Sequence, residues 1–462
     1  MRPLEIMIPI LLATYLLWRR PRPSWIQHLP EFTIVLVLLH WMLEGYRWQM
    51  LPIYVLTAIL AINGWIRRRA ASGPTPLVSA LTLILLAILT AVPVLLPVPS
   101  LPSPTGPYAV GTRIYELKDS ARPELYSGRE EARRFQIQVW YPARPGPADQ
   151  RASWMPHADI FAPAIATYIH MPSFFLDHLA LVKMPAFQGS QVASAIGGFP
   201  VILFSHGWNG FNAQNTSQAI ELASHGYVVV GVQHTYGAVI TVFDDGSTAP
   251  NNPSALPDGA PNAEYEAAAR KLVEQWAGDL AYALSYMEKE NDDPASPFSG
   301  ALDLARIGVY GHSTGGGATI QFCGTDPRCK ALLGMDPFMR PVSLDVLKNG
   351  VTQPAFFMFS QRWADEVDSR NNRLFYSFLP NVPQIVGVIS INGTAHYDFS
   401  DLPLLSPLAP RLGLKGPING KRVTGIINDY LVAFFDRTLK SLPIDLFEEQ
   451  NQKYNEVRFS RK

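Results

Sequence analysis

A serine flanked by glycines is the residue best placed to do chemistry in this chain. Ser313 lies in the run Gly-His-Ser-Thr-Gly-Gly-Gly (311–317), which follows a β-branched, strand-like segment at 306–310 and precedes a segment typical of a helix start. A glycine-flanked serine between a strand and a helix indicates a nucleophile elbow, in which Gly311 and Gly315 leave room for a sharp turn. The alternatives are a turn with a surface serine and a phosphate-binding loop, although no Gly-Lys-Ser/Thr follows here.

The base that would activate this serine is indicated by chain order. A serine hydroxyl is a poor nucleophile until a base takes its proton. In hydrolases built on such an elbow the base comes last in the chain, after the nucleophile and the acid. Of the ten histidines only His396 follows Ser313, and it lies in a loop after a strand predicted at 384–391. We therefore interpret His396 as the base, with an ordinary loop histidine as the alternative.

Asp336 is the predicted acid, because it stands at the end of a predicted strand, one strand-helix unit after the elbow. A carboxylate in this position can accept the Nδ1 proton of His396, which fixes the tautomer of the ring and stabilises the imidazolium. Asp345 and Asp365 are rivals in less well-defined positions. Asp398 is too close in sequence to His396 to orient it easily.

Two backbone N–H groups would hold the oxyanion that forms during acyl transfer. One belongs to Thr314, the residue directly after the serine. The other belongs to Trp208, in a glycine-containing turn at 205–210 that follows a buried strand predicted at 199–204. An ordinary turn between a strand and a helix is the alternative interpretation of this second segment.

The elements around these residues alternate between strand and helix. An antiparallel pair, 110–117 with 134–141, is predicted to begin the sheet, and 244–262 is a predicted loop. The remaining predicted strands are 199–204, 226–233, 330–335, 354–359 and 384–391. The predicted helices are 264–290 and 424–440. Near-continuous apolar strands alternating with helices indicate a mostly parallel, doubly wound α/β sheet.

An apolar segment at 159–184 interrupts this alternation. Pro163 and Pro172 break it into short predicted helices with one apolar face. The segment is predicted to be core, or alternatively a lid or a surface patch that admits a lipid-like substrate. His170 and His178, which fall within it, are interpreted as structural or surface residues.

The first hundred residues carry four apolar runs, at 4–18, 26–43, 51–66 and 77–98. A membrane-spanning helix needs about 20 apolar residues, and tryptophans stand at the ends of these runs, as interfacial aromatic residues do. The runs predict three or four transmembrane helices and hence an integral, multi-pass membrane protein. A cleaved signal peptide followed by buried helices is the alternative, but no small-residue cleavage site follows the first run.

Two clusters of arginine predict how this region is oriented. They follow the first and the third apolar run and consist of Arg19, Arg20, Arg22, Arg67, Arg68 and Arg69. With four spans both clusters lie on one side of the membrane, which the positive-inside rule makes cytoplasmic. Everything after residue 100 is then extracytoplasmic, whereas a count of three spans changes this assignment.

The domain boundaries follow from composition. A segment rich in proline and serine, 93–107, predicts a stiff, extended connection. The predicted domains are a helical membrane-spanning region (1–100), a proline-rich linker (101–109), a catalytic α/β domain (110–445) and a C-terminal tail (446–462).

Charge and cysteine content limit the partners that the chain could have. Basic and acidic residues number 38 each, so the net charge indicates neither nucleic acid nor an acidic partner. Cys323 and Cys329 could form a disulfide in an extracytoplasmic domain, or remain reduced thiols in a packed turn. Two cysteines without a matching histidine pair do not make a zinc site, and we expect no metal and no cofactor.

Four ordered motifs carry a resemblance to a known family. They are Phe-Ser-His-Gly (204–207), Gly-His-Ser-Thr-Gly-Gly (311–316), Gly-Met-Asp-Pro-Phe-Met (334–339) and Gly-Thr-Ala-His-Tyr-Asp-Phe-Ser-Asp (393–401). Together they resemble the type II platelet-activating factor acetylhydrolases, also called lipoprotein-associated phospholipase A2, which have bacterial relatives. The resemblance covers about residues 107–440.

The resemblance implies an α/β-hydrolase fold and a serine hydrolase mechanism. It implies Ser313 as nucleophile, Asp336 as acid, His396 as base, and the amides of Trp208 and Thr314 as oxyanion hole. It also implies a calcium-independent enzyme that releases short or oxidised acyl groups from the sn-2 position of phospholipids. The expected partners are therefore an ester substrate and the membrane.

The sequence departs from the family in three places. Gln-His-Thr-Tyr (233–236) stands where the family tends to carry Glu-His-Arg-Asp, Trp208 replaces a leucine, and the secreted form of the family has no polytopic N-terminus. These departures leave the substrate open. A general carboxylesterase, or a polyester or dienelactone-type hydrolase, is the alternative, and a non-catalytic, hydrolase-like binding protein is a further one.

Overall fold

The computed structural model describes residues 1–18, 23–69, 75–448 and 453–460. The first predicted arginine cluster, at positions 19, 20 and 22, lies outside these residues, as do the side chains of Arg68 and Arg69. The described residues form an N-terminal group of helices and an α/β region that contains Ser313.

The N-terminal helices are α1 (Pro3–Leu17), α2 (Ser24–Gln27), α3 (Leu29–Leu43), α4 (Leu51–Arg69) and α5 (Pro76–Leu95). Two stretches, Trp48–Arg67 and Pro76–Leu95, are long and apolar enough to cross a membrane by length and composition. Helices α1 and α3 are apolar but shorter, with 15 residues each. The helices pack through a shared apolar cluster that includes Ile8, Leu12, Leu36 and Ile53.

A buried ion pair closes one end of this bundle. The Glu5 carboxylate accepts hydrogen bonds from Arg47 at 2.6 Å and from Arg2 at 2.7 Å. Arg47 also donates to the carbonyl of Leu96 at 2.6 Å. Removing either partner of such a pair leaves a buried charge uncompensated. The contacts bring the start of α1, the start of α4 and the end of α5 to one end of the bundle, where the chain leaves for the α/β region.

The connection after the bundle begins later than the sequence predicts. We expected an extended segment from residue 93, but α5 continues through Pro93 to Leu95. A proline this close to the end of a helix removes one intrahelical hydrogen bond and leaves the rest of the helix intact. The carbonyls at this helix end are instead bound by Arg47, at 3.4 Å for Pro93.

The α/β region is built on a twelve-stranded sheet. The strands of the chain are β1 (Ala109–Pro123), β2 (Ala132–Arg144), β3 (Arg151–Ser153), β4 (Lys183–Gln188), β5 (Gln191–Val192), β6 (Phe199–Ser205), β7 (Val228–Gln233), β8 (Ile240–Val242), β9 (Thr248–Pro250), β10 (Leu302–His312), β11 (Ala331–Met335), β12 (Ala355–Ser360), β13 (Ile385–Ile391) and β14 (Val457–Phe459). Their order in the sheet is β14-β13-β12-β11-β10-β6-β7-β2-β1-β4-β3, with β5 beside β2 and with β8 and β9 forming a separate hairpin.

The centre of the sheet is parallel, and its margins are antiparallel except for the parallel pairing of β1 with β4. Strands β7, β6, β10, β11, β12 and β13 run in one direction. The predicted hairpin of β1 with β2 is confirmed, and β14, from the predicted C-terminal tail, adds an antiparallel edge strand to β13. The prediction of a mostly parallel sheet at the core of an α/β fold is thus confirmed.

Helices cover both faces of the sheet. They are α6 (Ala158–Tyr168), α7 (Thr216–Ser224), α8 (Asn262–Asp292), α9 (Thr314–Thr325), α10 (Leu344–Asn349), α11 (Gln361–Asp365), α12 (Arg370–Phe378) and α13 (Gly420–Leu439). Helices α7 and α13 contribute to one apolar core, and α8 and α9 contribute to the other. Two apolar cores explain why the central strands carry near-continuous apolar runs.

The prediction of an irregular loop at 244–262 is wrong in part. Strand β9 falls inside this range and pairs with β8. The two strands are joined by a tight turn in which the N–H of Phe243 donates to the carbonyl of Ser247 at 2.9 Å, with Gly246 at φ 80°. An Asp-Gly pair between short strands is a hairpin signal, and Asp245-Gly246 supplies it here.

The helical bundle contacts the α/β region beside α6. Trp48 packs on Phe174 with ring centroids 5.3 Å apart and donates from its indole nitrogen to the carbonyl of Phe175 at 3.3 Å. Gln49 hydrogen-bonds to the buried His178 at 2.7 Å. These contacts join the short turn just before α4 to a 3-10 segment, Ser173–Leu181, that packs with α6.

Candidate active site

Ser313 stands at the point where β10 ends and α9 begins. Its backbone has φ 57° and ψ −121°, a conformation that a residue with a side chain adopts only when its surroundings impose it. The two flanking glycines are needed because other backbone approaches them closely. A Cβ on Gly311 would lie 2.4 Å from the carbonyl oxygen of Gly315, and one on Gly315 would lie 2.1 Å from that of Ser205. The local geometry is that of a nucleophile elbow.

Asp336 and His396 are joined by a hydrogen bond. Nδ1 of His396 lies 3.0 Å from Oδ2 of Asp336, and Asp336 is fully buried at the end of β11. Ser360 also holds this carboxylate, donating from its N–H to Oδ1 at 2.8 Å and from its hydroxyl to Oδ2 at 2.6 Å. Burial raises the pKa of Asp336, and the two hydrogen bonds from Ser360 oppose this rise.

The imidazole of His396 is held between two rings. Trp363, on α11, stacks on it with centroids 4.5 Å apart and planes within 7°. His312 lies on the ring at 4.4 Å. Burial lowers the pKa of His396. A neutral ring that donates from Nδ1 has an unprotonated Nε2, the state in which a histidine can act as a general base.

His312 also fixes the backbone of the histidine loop. Gln214 lies 3.1 Å from Nδ1 of His312, and Nε2 of His312 lies 3.0 Å from the carbonyl oxygen of His396. Since a carbonyl can only accept, Nε2 carries the proton and Nδ1 accepts from the amide of Gln214. Burial lowers the pKa of His312 to about 3, so it acts as a neutral bridge. Sequence reasoning missed this role, although His312 precedes the serine in the motif itself.

The turn after β6 lies directly against the serine. A Cβ placed on Gly207 would be 3.3 Å from Cβ of Ser313. Thr314 is the first residue of α9, and the first N–H groups of a helix have no acceptor within the helix. The structure therefore places the amides of Trp208 and Thr314, the two predicted oxyanion donors, in segments that flank Ser313.

The rival acids lie elsewhere. Asp345 and Asp365 are exposed, on α10 and α11. Asp398 is buried and accepts the N–H of Ala395 at 2.8 Å and that of Gly416 at 2.6 Å, so it shapes the loop that carries His396. Among the described carboxylates, Asp336 is the one in hydrogen-bond contact with the ring of His396.

Cys323 and Cys329 are disulfide-bonded, with Cα atoms 5.2 Å apart. Both are buried and join the end of α9 to the segment before β11. The bridge therefore links the two elements that carry Ser313 and Asp336.

Three side chains in the helical bundle, away from Ser313, lie close enough together to hold a metal ion. Within the described residues, Glu5, His40 and Glu44 bring ligand atoms within 4.8 Å of one another. Arg2 and Arg47 already bind Glu5 there, and their two positive charges balance the two carboxylates. This group is better explained as an ion-pair network than as a cation site.

Most of the chain is similar in sequence to a known protein family. Residues 97–457 match the sequence profile of the family described as platelet-activating factor acetylhydrolase, isoform II. A platelet-activating factor acetylhydrolase of Cavia porcellus is 29% identical over 361 residues, which are 74% of this chain and 78% of the relative. An Arthroderma benhamiae protein named "Probable 1-alkyl-2-acetylglycerophosphocholine esterase" is 25% identical over 393 residues, 78% of this chain and 93% of the relative.

A solved structure supports the fold. The ferulic acid esterase from Streptomyces cinnamoneus superposes with a TM-score of 0.65 at 22% identity, covering 79% of this chain and 100% of the esterase. At this identity the likeness concerns the fold, and it confirms the predicted α/β-hydrolase fold. Since the family profile spans most of the sequence, the chain belongs to the platelet-activating factor acetylhydrolase isoform II family.

Proposed function

We propose that this chain is a membrane-anchored serine hydrolase that cleaves short or oxidised sn-2 acyl groups from phospholipids. Its family makes it a carboxylic ester hydrolase, since its relatives are named acetylhydrolases and esterases. The observation that carries the mechanism is the hydrogen bond of 3.0 Å between Asp336 and His396, at the sheet edge where the elbow presents Ser313.

The proposed reaction follows from these positions. Nε2 of His396 takes the proton of Ser313 as Oγ attacks the ester carbonyl, and Asp336 stabilises the imidazolium through Nδ1. The N–H groups of Trp208 and Thr314 hold the negative oxygen of the tetrahedral intermediate. The alcohol then leaves with the proton from His396, and a water activated by the same nitrogen hydrolyses the acyl-enzyme.

The contact between the bundle and the α/β region supports a lipid substrate. The segment that touches Trp48 includes the half-exposed Phe174, and α6 ends at the exposed Tyr168, which interacts with Tyr397. Tyr397 follows His396 and is itself exposed. We propose that these aromatic side chains face the bilayer surface, so that a lipid ester reaches Ser313 from the membrane.

The same arrangement supports an extracytoplasmic active site. The end of the bundle closed by Glu5 and Arg47 is the end from which the α/β region emerges. The arginines at 67–69 are the last residues of α4 and belong to the opposite end, which the positive-inside rule assigns to the cytoplasm. The disulfide of Cys323 with Cys329 fits an oxidising compartment. We therefore propose a multi-pass protein with four membrane-crossing helices, α1, α3, α4 and α5.

A substrate series tests the proposed activity. We expect the purified full-length chain to hydrolyse a phosphatidylcholine with an sn-2 acetyl group at least about tenfold faster than one with an sn-2 palmitoyl group, a difference of roughly 1.4 kcal/mol in the barrier. Excess EDTA should leave the rate unchanged, because backbone N–H groups hold the oxyanion in this proposal. Release of fatty acid or acetate is measured by titration at constant pH. Turnover of soluble esters with none of either phospholipid would indicate the general carboxylesterase instead.

Reporter fusions test the proposed topology. Alkaline phosphatase, which is active only outside the bacterial cytoplasm, is fused after residue 100 and, as a matched control, after residue 72. We expect activity from the first fusion and little from the second, because four spans place residue 72 on the cytoplasmic side. Green fluorescent protein fused at the same positions should give the reverse pattern. Fluorescence from the fusion at residue 100 would place the active site in the cytoplasm.

A further inference from the structure

His206 lies behind the turn that carries Trp208 and contacts backbone on two sides. Its side chain is fully buried. Nε2 lies 3.1 Å from the backbone nitrogen of His234, and Nδ1 lies 2.7 Å from the carbonyl oxygen of Gly207. A backbone N–H can only donate, so Nε2 is the acceptor and Nδ1 carries the proton. The ring therefore has one tautomer, which donates to Gly207.

The Gly207 carbonyl and the Trp208 N–H belong to the same peptide unit. A trans peptide is planar, and its C=O and N–H point in opposite directions. A hydrogen bond that holds the carbonyl toward His206 therefore directs the N–H away from His206. The α-carbon of Gly207 lies on the side of Ser313, as the distance of 3.3 Å from a Cβ at Gly207 to Cβ of Ser313 shows.

We propose that His206 is a positioning residue of the oxyanion hole. By binding the Gly207 carbonyl it orients the Trp208 N–H toward the oxygen of an ester bound at Ser313. This inference rests on the proposed ester hydrolysis and deepens it, because it assigns a role in the reaction to a side chain that contacts no substrate.

A buried network keeps His206 in place. Nε2 of His206 accepts from the N–H of His234, which is the first residue of the turn after β7. The ring of His234 is fixed on three sides: Nδ1 donates to Asp279 at 3.0 Å, Nε2 accepts from the hydroxyl of Ser205 at 2.9 Å, and Trp276 stacks on its face at 4.2 Å. Asp279 is bound in turn by Arg133 at 2.6 Å. The amide that holds His206 is therefore part of a rigid structure.

The same turn supports the oxyanion segment directly. The N–H of Asn209 donates to the carbonyl of Gly237, and the N–H of Val239 donates to the carbonyl of Gly210, each at 2.9 Å. These bonds fix the segment on the far side of Trp208. The peptide that contains the Trp208 N–H is held through the Gly207 carbonyl, which accepts from His206 at 2.7 Å and from the N–H of Gly210 at 2.9 Å.

This buried network includes a serine, a histidine and a carboxylate that are hydrogen-bonded in series, as in a catalytic triad: Ser205, His234 and Asp279. They do not form a second active site. All three side chains have no exposed surface. An ester cannot reach Ser205, and its hydroxyl instead fixes the acceptor nitrogen of His234. The arrangement is a scaffold behind the oxyanion turn.

Two substitutions at position 206 separate the two hydrogen bonds. His206→Asn carries an amide N–H at the level of Nδ1 and can still donate to Gly207, whereas His206→Gln carries its amide at the level of Nε2 and can accept only from His234. We expect kcat of the full-length enzyme on p-nitrophenyl acetate to fall about 100-fold in His206→Gln, the effect of losing one oxyanion donor. In His206→Asn we expect a fall of about fivefold or less, and KM should change little in both.

A second readout distinguishes positioning from a general loss of structure. Each variant loses one buried hydrogen bond, so their melting temperatures should fall by similar amounts. A trifluoromethyl ketone, which forms a tetrahedral adduct with the serine, should bind His206→Gln more weakly by the factor lost in kcat/KM. Rates are divided by the fraction of chains that a fluorophosphonate labels, so that unfolded protein does not count.

The outcomes are distinct. Equal kcat in the two variants, or a loss confined to KM, would overturn the role of His206. If His206→Gln does not fold, His206→Ala takes its place. A kcat of His206→Ala within fivefold of that of His206→Asn would equally overturn the proposed role of His206. Absence of any ester turnover by the unsubstituted enzyme would contradict the proposed function itself and would be seen before the variants are compared.

Discussion

Replacement of Ser313 by alanine is expected to lower kcat for ester hydrolysis by about 10⁶-fold, the scale seen when the nucleophile of a serine hydrolase is removed. The reason is that the variant has no hydroxyl at position 313, where the elbow would present the group that forms the acyl-enzyme. Covalent labelling by a fluorophosphonate should disappear as well. Kinetics with p-nitrophenyl acetate and mass spectrometry of the labelled protein measure the two effects.

Ser205→Ala provides the matched control for this prediction. Ser205 hydrogen-bonds to a histidine that is bound to a carboxylate, but its side chain is fully buried. The variant should keep one equivalent of label per chain, and kcat should fall by no more than about tenfold, as for an indirect effect on one oxyanion donor. Label retained in Ser313→Ala, or lost in Ser205→Ala, would refute the assignment of the nucleophile.

The position of the three candidate catalytic residues at one edge of the sheet was predictable from the sequence, because the fold brings the carboxyl ends of parallel strands to that edge. Ser313, Asp336 and His396 follow β10, β11 and β13, which are close neighbours in the sheet. Chain order and strand ends therefore sufficed to select three residues far apart in the sequence. The hydrogen bond of Asp336 with His396 agrees with that selection, and the roles of the three residues await the experiments above.

The supports of the site were not predictable in this way. The ring of His396 is contacted by Trp363 and His312, and its backbone carbonyl accepts from His312. Gln214 acts one step further away, because its amide donates to the ring of His312. None of them has a sequence pattern that distinguishes a contact with the site from ordinary burial. Only the packing of α11 and of the turn after β6 against the histidine loop reveals these contacts.

Long-range contacts also determine the role of the turn at His234 and the end of helix α5, neither of which composition alone could predict. The turn that begins at His234 is among the departures from the family, yet its N–H donates to His206, so the turn supports the segment at 205–210. Likewise, the sequence predicts that a linker begins at Pro93, but α5 continues past this proline. The helix end is tolerated there because Arg47 donates to the carbonyls of Pro93 and Leu96. The deciding partner is 28 residues away for His234, which binds His206, and 46 residues away for Pro93, which binds Arg47.

Replacement of Asp336 by asparagine is expected to lower kcat by about 10⁴-fold with little change in KM. The N–H of Ser360 would retain the amide oxygen at the Oδ1 position, leaving the amide nitrogen to face His396. That nitrogen donates, so Nδ1 of His396 must accept and the ring proton moves to Nε2. A histidine in this tautomer cannot take the proton of Ser313, and steady-state kinetics on the acetyl phospholipid measures the loss.

Asp345→Asn is the control that makes the result specific to one carboxylate. Asp345 is exposed on α10, and the sequence alone left it open as a rival. The same chemical change there should alter kcat by less than about twofold, within the range of an ordinary surface substitution. Because the N–H of Ser360 keeps its acceptor in Asp336→Asn, we expect this variant to stay folded and to be labelled slowly at Ser313 by a fluorophosphonate. A kcat within tenfold of the unsubstituted enzyme would mean that the carboxylate does not set the tautomer of His396.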